Sequence, residues 1–232
     1  MKKIPITKID PDVFHLRGIA EGSFSKCLES PCGRSKGDGC CWWGVSVDRE
    51  SYGLMKKHQK RLDAFLPVPL DECFEGTNDD PEFLGGGAID TKVRKDHWCA
   101  LHHTDKRGCA LVDFVFKNGL PHRMIPSACR IYPLTWERGK LKVAKTIYKN
   151  CHCLLDQHTV DESFFESHRK ELEDIFAIDP QAIERAKKEA VAGGPKHKAL
   201  VSVKRATPGA ALPRDEQPQQ SDVKKTVEVA RP

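Results

Sequence analysis

The chain of 232 residues carries 38 Lys and Arg, 33 Asp and Glu and ten cysteines, which gives a formal net charge of +5. This length fits one domain with a tail, and the cysteine content lies below that of disulfide-stapled secreted scaffolds. The start of the sequence lacks the apolar core of a signal peptide, and no apolar run reaches membrane-spanning length. We therefore expect a cytoplasmic protein without a membrane partner, whose cysteines are reduced.

Two helices are predicted from apolar residues that recur at helical spacing. The first follows Asp48, a candidate N-cap, and ends before Pro67. The second begins near Thr159 or Asp161. Both apolar stripes are predicted to face the core, and His168 on the second stripe is interpreted as a core residue.

A third helix and a hairpin have the clearest local signals. Asp179 is a candidate N-cap in front of a proline, and Gly193 marks the end of the helix. The stretch YPLTWERGKLKVAKTIY predicts two strands joined by a turn at Gly139. Further strands are predicted over 88–93 and 98–101.

These elements predict an α+β fold: a small irregular domain with a short hairpin and about three helices, its loops tied by a metal centre. The domain spans residues 1–192. Residues 193–232 contain no aromatic residue and are rich in proline, so they cannot bury enough apolar surface to fold and are predicted to be a disordered basic tail. Because most of the positive excess lies in this tail, we expect no nucleic-acid partner for the domain.

The cysteines of the domain fall into groups. The groups are Cys27, Cys32, Cys40 and Cys41; Cys99 and Cys109; Cys129; and the C-x-C pair Cys151 and Cys153. The remaining one, Cys73, stands alone in an acidic stretch and is interpreted as a structural thiol. The sequence has no C-x-x-C pair, which argues against a redox or nucleophilic thiol site. The grouping favours metal binding, with a redox site and unliganded buried cysteines as alternatives.

The spacing favours an iron–sulfur centre over zinc. Structural zinc sites place ligand pairs two to four residues apart, and only Cys27 and Cys32 approach that spacing. The neighbours Cys40 and Cys41 reach different metal atoms more readily than they share one tetrahedral ion. Zinc remains the alternative, and histidines near the cysteines are candidates for a mixed site. These histidines are His97, His102, His103 and His152.

The cysteine blocks resemble those of a known family. The stretch from Cys27 to Cys41, the block CALHHTDKRGCAL and the block IPSACRIYPLTW are similar to motifs of the CxxCxxCC zinc- or iron-chelating family, called YkgJ-like. The late C-x-C pair is similar to one in a related group of bacterial cysteine-rich proteins. The insertion GRSKGDG makes the first block longer than the family's. The resemblance implies a ligand set of Cys27, Cys32, Cys40, Cys41, Cys99, Cys109, Cys129 and Cys151, with Cys153 as a further candidate.

Two other residues of the third block are candidates for cofactor binding. Arg130 and Tyr132 are placed to donate hydrogen bonds to sulfur or to a bound anion. In the alternative interpretation, Arg130 pairs with a carboxylate and Tyr132 packs beside Pro133. Trp42, directly after the cysteine pair, is interpreted as shielding the site from solvent.

Three functions stay open at this point. The first is a metal-binding module with a structural or electron-transfer role and an unknown protein or electron-transfer partner. The second is an enzyme, with an open metal position beside His102, His103, Asp105 or Arg130, although no catalytic constellation is identified. One longer branch of the family is similar to a flagellin lysine methylase, but this chain lacks a Gly-rich methyl-donor motif. The third is a protein that docks on a partner through its tail.

Overall fold

A computed structural model describes most of the domain. The described residues are 2–19, 40–104, 108–145 and 159–196. They lie within one compact unit, Met1–Ser202, whereas the second unit, Val203–Pro232, lies outside them. Almost all of the predicted tail therefore lies outside the described residues, and its disorder stays a prediction.

The described residues form short strands and helices, a mixed α/β composition that is compatible with the α+β class. The strands are β1 (Ile4–Ile6), β2 (Lys8–Ile9), β3 (Arg17–Ile19), β4 (Ser46–Asp48), β5 (Phe74–Asn78), β6 (Ala88–Thr91), β7 (Leu134–Glu137), β8 (Lys140–Val143), β9 (Thr159–Ser163) and β10 (Phe176–Ile178). The helices are α1 (Asp12–His15), α2 (Arg49–Lys57), α3 (Gln59–Leu62), α4 (Ala110–Lys117), α5 (Ser127–Ile131), α6 (Phe164–Ser167), α7 (Arg169–Ile175) and α8 (Pro180–Ala192). Short 3₁₀ turns cover Cys40–Trp43, Leu70–Glu72 and His122–Met124.

The strands pair in small sheets that join distant parts of the chain. β1 lies parallel to β10, and β2 lies parallel to β8 on the edge of the β7–β8 hairpin. β3 is antiparallel to β9, with Ile19 opposite Thr159. In the middle of the chain, β4, β6 and β5 form an antiparallel sheet in that spatial order. The first and last described segments are thus held by backbone pairing.

Two apolar clusters form the interior. The first core combines the N-terminal strands, the hairpin and helices α6 to α8; its largest members include Ile6, Leu134, Leu141, Phe164, Phe165, Leu172 and Phe176. The second core lies under α2, α4 and the β4–β6–β5 sheet; its members include Val47, Met55, Leu62, Leu70, Phe114, Leu101 and Met124. Every described cysteine whose side chain is defined belongs to the second core or packs against it.

The elements with the clearest local signals are confirmed. β7 and β8 form the hairpin, and Arg138 and Gly139 have positive φ angles of 50° and 67°, as a tight turn between twisted strands requires. The side chain of Asp179 accepts a hydrogen bond from the backbone N–H of Gln181 at 2.9 Å, and α8 ends at Ala192. β6 occupies most of the predicted strand 88–93.

Three other predictions are wrong in detail. The predicted first helix divides at His58 into α2 and α3, because His58 leaves helical geometry with a φ angle of −110° and a ψ angle of 12°; Met55 and Leu62 both still belong to the second core. The predicted second helix begins later, since Thr159–Ser163 pairs with β3 as a strand. Residues 98–101 do not form a strand, and their pairing is an isolated bridge between Val93 and Cys99.

Candidate metal centre

The second core collects cysteines from the first three sequence groups. Cys73 and Cys99 are buried, and Cys41, Cys109 and Cys129 are half-buried against the same cluster. Four predicted ligands, Cys27, Cys32, Cys151 and Cys153, lie outside the described residues. Cys40 begins the turn Cys40–Trp43.

The first and second cysteine blocks meet directly through the backbone. The N–H of Cys99 donates to the carbonyl oxygen of Cys41 at 2.8 Å. The Sγ atom of Cys99 lies 3.4 Å from the hydroxyl oxygen of Thr91, at the end of β6. Two blocks that are far apart in sequence are therefore joined at adjacent cysteines.

Cys109 closes the second block. It is the N-cap residue of α4, its Sγ lies 3.4 Å from the carbonyl oxygen of Leu101, and it forms an isolated bridge with His102. Ala110 N–H also donates to Leu101 at 2.8 Å. Residues 101–102 thus contact Cys109, and both Cys99 and Cys109 border the second core. Helix α4 was not predicted, although its apolar run ALVDFVF was a visible signal.

Cys129 lies on α5, which a buried carboxylate positions. Asp48 is fully buried; its Oδ2 accepts the N–H of Ser127 at 2.8 Å and its Oδ1 accepts the N–H of Leu84 at 3.0 Å. Asp48 is the N-cap residue of α2 as predicted, but its side chain makes no capping hydrogen bond; its two oxygens instead fix the third cysteine block and the turn at Leu84. Sequence spacing gave no indication of these long-range contacts.

Arg130 is almost fully buried beside Cys129 and is ion-paired. Its Nε donates to Glu171 at 2.7 Å and its Nη2 to Asp174 at 2.5 Å, so the carboxylate-pairing alternative is observed. Burial opposes ionisation of Asp174, but hydrogen bonds from Arg130 and Arg123 outweigh it and hold the Asp174 pKa below its usual value. Tyr132 is half-buried before the buried Pro133. Hydrogen bonding of Arg130 or Tyr132 to a cofactor stays a prediction.

Two buried donors on α5 have no hydrogen-bond partner within the described ranges. They are the Oγ of Ser127 and the Nη1 of Arg130, in residues on either side of Cys129. A buried polar atom without a partner costs about 1–3 kcal/mol, and native proteins contain few of them. An acceptor from a residue outside the described ranges, or from a bound group, would satisfy these atoms.

Two of the four predicted histidines, His97 and His102, stack on tryptophan rings. The Trp42 ring stacks on His97 with centroids 5.2 Å apart, and Trp98 stacks on His102 at 4.6 Å. Burial lowers the pKa of His102, so its ring is neutral near pH 7. The Nε2 of the buried His103 lies 3.4 Å from the Asp113 carboxylate. Asp105 and His152 are outside the described residues.

Cys73 differs from the other cysteines of the second core. Its side chain is fully buried, and its Sγ faces the carbonyl oxygens of Pro69 at 3.6 Å and Ala100 at 3.9 Å. Burial, with the nearby Cys99 thiol as a smaller cause, raises the pKa of Cys73 to about 12. A protonated thiol that contacts carbonyl groups fits the structural interpretation of Cys73.

The described residues alone do not complete a metal site, since no group of three or more His, Cys, Asp and Glu side chains among them is arranged to hold an ion. However, described residues that border the two undescribed cysteine segments are paired with other parts of the fold. Ile19, before Cys27, lies opposite Thr159, which follows Cys153, and Ala144 N–H donates to Pro133 in the third block at 2.9 Å. The described residues Ile19, Thr159 and Ala144 are therefore each held by backbone pairing within the domain.

The described part of the chain contains no helix that is long and apolar enough to cross a membrane. Comparisons of the chain with protein-family models, with curated proteins and with solved structures find no match. The resemblance to the YkgJ-like family therefore rests on the quoted motifs.

Proposed function

We propose that this chain is a metal-binding protein of the YkgJ-like type, with a cysteine-ligated iron–sulfur centre. One observation carries the proposal: cysteines from three separate sequence blocks pack on one core, where Cys99 N–H binds the Cys41 carbonyl. Cytoplasmic thiols that the fold gathers in this way are more often metal ligands than disulfides.

The chemistry of the surroundings fits a sulfur-rich centre. Thiolates are soft ligands that suit iron–sulfur clusters and zinc. The donors without partners, Ser127 Oγ and Arg130 Nη1, lie in the residues around Cys129 and would be satisfied by an acceptor that belongs to the centre. Hydrogen bonds to sulfur also tune such centres.

An iron–sulfur centre accommodates the ligand set better than one zinc ion. The proposed ligands exceed the four positions of a tetrahedral zinc site, and Cys40 and Cys41 are adjacent in sequence. When bound, an iron–sulfur centre supplies one-electron transfer. We propose a structural or electron-transfer role in the cytoplasm, with a redox protein as the partner.

The first test is metal analysis of the full chain purified without oxygen. Iron, zinc and acid-labile sulfide are measured per chain, together with the visible spectrum. Iron with a matching amount of sulfide is the expected result. Zinc without sulfide would replace the iron–sulfur proposal with a structural zinc site, and a folded chain with neither metal would overturn metal binding.

Two buried cysteines provide a matched pair of variants for the same measurement. Cys99 and Cys73 both lie in the second core, but only Cys99 is a proposed ligand. We expect Cys99→Ala to lower the metal content, and Cys73→Ala to keep it at the wild-type level. Equal metal content in both variants would remove Cys99 from the ligand set.

A further inference from the structure

Thr91 connects the first two cysteine blocks by its side chain. The residue is buried at the end of β6, where its hydroxyl oxygen accepts the N–H of Val45 at 2.8 Å. Its own N–H donates to the carbonyl oxygen of Val45 at 2.9 Å. The side chain is therefore held by Val45, and in this structure its oxygen also accepts a hydrogen bond from the Cys99 thiol, with the Sγ atom 3.4 Å away.

The proton of the Thr91 hydroxyl is available to a deprotonated Cys99 sulfur. A threonine hydroxyl has one proton to donate and two lone pairs that accept. The N–H of Val45 and the Cys99 thiol each donate to one lone pair, so neither contact uses the proton of the hydroxyl. The contact with Cys99 reverses when the thiol loses its proton. A metal-bound cysteine sulfur carries no proton, so a hydrogen bond between Thr91 and Cys99 in the loaded protein runs from the hydroxyl to the sulfur.

The neighbouring backbone leaves room for this hydroxyl. Gly44 directly follows the turn Cys40–Trp43 and has a φ angle of +74°, and a Cβ atom built on it would lie 2.9 Å from the Thr91 oxygen. A side chain at position 44 would therefore compete with the Thr91–Val45 contact. The absence of a side chain at Gly44, just after the first block, therefore leaves space for the Thr91 hydroxyl.

We infer that Thr91 is a positioning residue of the metal centre, whose hydroxyl donates a hydrogen bond to the sulfur of the ligand Cys99. The inference rests on the proposed function. The hydrogen bond fixes the direction of the sulfur lone pairs and withdraws electron density from them. Groups of this kind, which hold the ligands rather than the metal, affect metal affinity about 10–100-fold.

The test compares Thr91→Val with Thr91→Ser in the full chain, purified without oxygen with its own metal. Valine has a similar shape but no hydroxyl, so the rate of metal loss to a chelator should rise about tenfold or more. The midpoint potential of an iron–sulfur centre should fall, because the sulfur donates more strongly. For a zinc protein, the sulfur-to-metal charge-transfer band of the cobalt-substituted form should move to lower energy. Thr91→Ser should resemble the wild type.

Ser46→Ala is the matched control. Ser46 lies on the adjacent strand β4, and its hydroxyl donates to Asp90 at 2.6 Å, so its loss changes the same sheet without the contact to sulfur. The control should keep the wild-type potential or band. A similar change of the potential or band in Ser46→Ala and Thr91→Val would mean that the structure of the sheet, and not the Thr91 hydroxyl, determines the measured value.

The outcomes separate the inference from the proposed function. A Thr91→Val protein that contains metal with the wild-type potential and metal-loss rate overturns the role of Thr91 only. A wild-type protein without metal overturns the proposed function and this inference with it. If Thr91→Val does not fold, the metal–sulfur vibrations of the wild type and Thr91→Ser are compared in H₂O and D₂O. Absence of a deuterium shift overturns the hydrogen bond.

Discussion

His168 is a buried histidine whose neutral form the fold requires. Its ring stacks on Phe164 with centroids 3.9 Å apart, and its Nδ1 lies 2.9 Å from the Ser167 hydroxyl oxygen. Burial lowers the pKa of His168 to about 4 from the usual 6.5, and the neighbouring Glu171 offsets only part of this. Ser167 Oγ also accepts the N–H of Ile19, the last described residue before the first cysteine block.

We expect His168 to make the domain less stable in acid. The unfolded chain binds this proton near pH 6.5, whereas the folded chain resists it until about pH 4. The free energy of unfolding that depends on the neutral ring is therefore fully present above pH 6.5 and is lost as the pH falls towards 4. The total loss is about 3 kcal/mol. Urea unfolding at several pH values between 7.5 and 4.5 measures this slope.

The controls for this pH dependence are two glutamine variants. His168→Gln should show a shallower fall in unfolding free energy between pH 6.5 and 5 than the wild type does. His58→Gln, which replaces a half-buried histidine between α2 and α3, is measured beside it as a histidine replacement outside the contacts with Phe164 and Ser167. An identical slope in the wild type and His168→Gln would show that other groups cause the acid loss.

At the scale of the secondary-structure elements, replacement of two glycines by alanine is expected to change stability in opposite directions. Gly53 lies within α2, and a Cβ atom there would meet no other atom within 4 Å, so Gly53→Ala should stabilise the fold by about 0.5–1 kcal/mol. A Cβ atom on Gly87 would lie 2.4 Å from the carbonyl oxygen of Asn78, so Gly87→Ala should destabilise it by about 1–3 kcal/mol. Thermal and urea unfolding of both variants measures the difference, and a destabilised Gly53→Ala would contradict the packing around α2.

Elements with local signals were predictable, whereas elements formed by distant partners were not. The turn at Gly139 and the cap at Asp179 depend on residues next to them in sequence, and both are confirmed. β1 has only three residues, and its strand character depends on β10, which is formed by the far end of the domain. The start of α6 did have a signal, because Ser163 and Glu166 form the serine-x-x-glutamate pattern of a helix cap.

The same distinction applies to the candidate centre. The cysteine groups were visible in the sequence because cysteines recur in blocks. The role inferred for Thr91 depends on contacts with Val45 and Cys99, and nothing in the residues around position 91 indicates it. Arg130 was visible as a candidate, but its carboxylate partners on α7 come from a separate segment.

At the scale of the whole domain, charged residues connect the two cores. Arg123 lies in the turn His122–Met124 beside the second core; it donates to Glu50 on α2 at 2.5 Å and to Asp174 on α7 at 2.8 Å. Arg130 reaches the same helix α7, whose Leu172 belongs to the first core. The cores thus share a largely buried ion-pair network, in which loss of one partner leaves a charge uncompensated.

Removal of the metal should weaken the second core more than the first. The proposed ligands whose side chains the structure describes, Cys41, Cys99, Cys109 and Cys129, pack on the second core. A metal that binds only the folded chain adds its binding energy to stability, about 4 kcal/mol at a thousand times the Kd. The first core is held by β1–β10 pairing, by α8 and by apolar packing, none of which involves a proposed ligand among the described residues.

Hydrogen exchange of the loaded and chelator-treated full chain tests this difference. We expect amides of α4 and of residues 99–104 to lose protection, because Cys109 is the N-cap of α4 and forms a bridge with His102. Amides of α8 should keep most of their protection. Uniform loss in both regions would show that the ion-pair network of Arg123 and Arg130 couples the cores into one unfolding unit. Unchanged protection of α4 would show that the second core does not depend on metal.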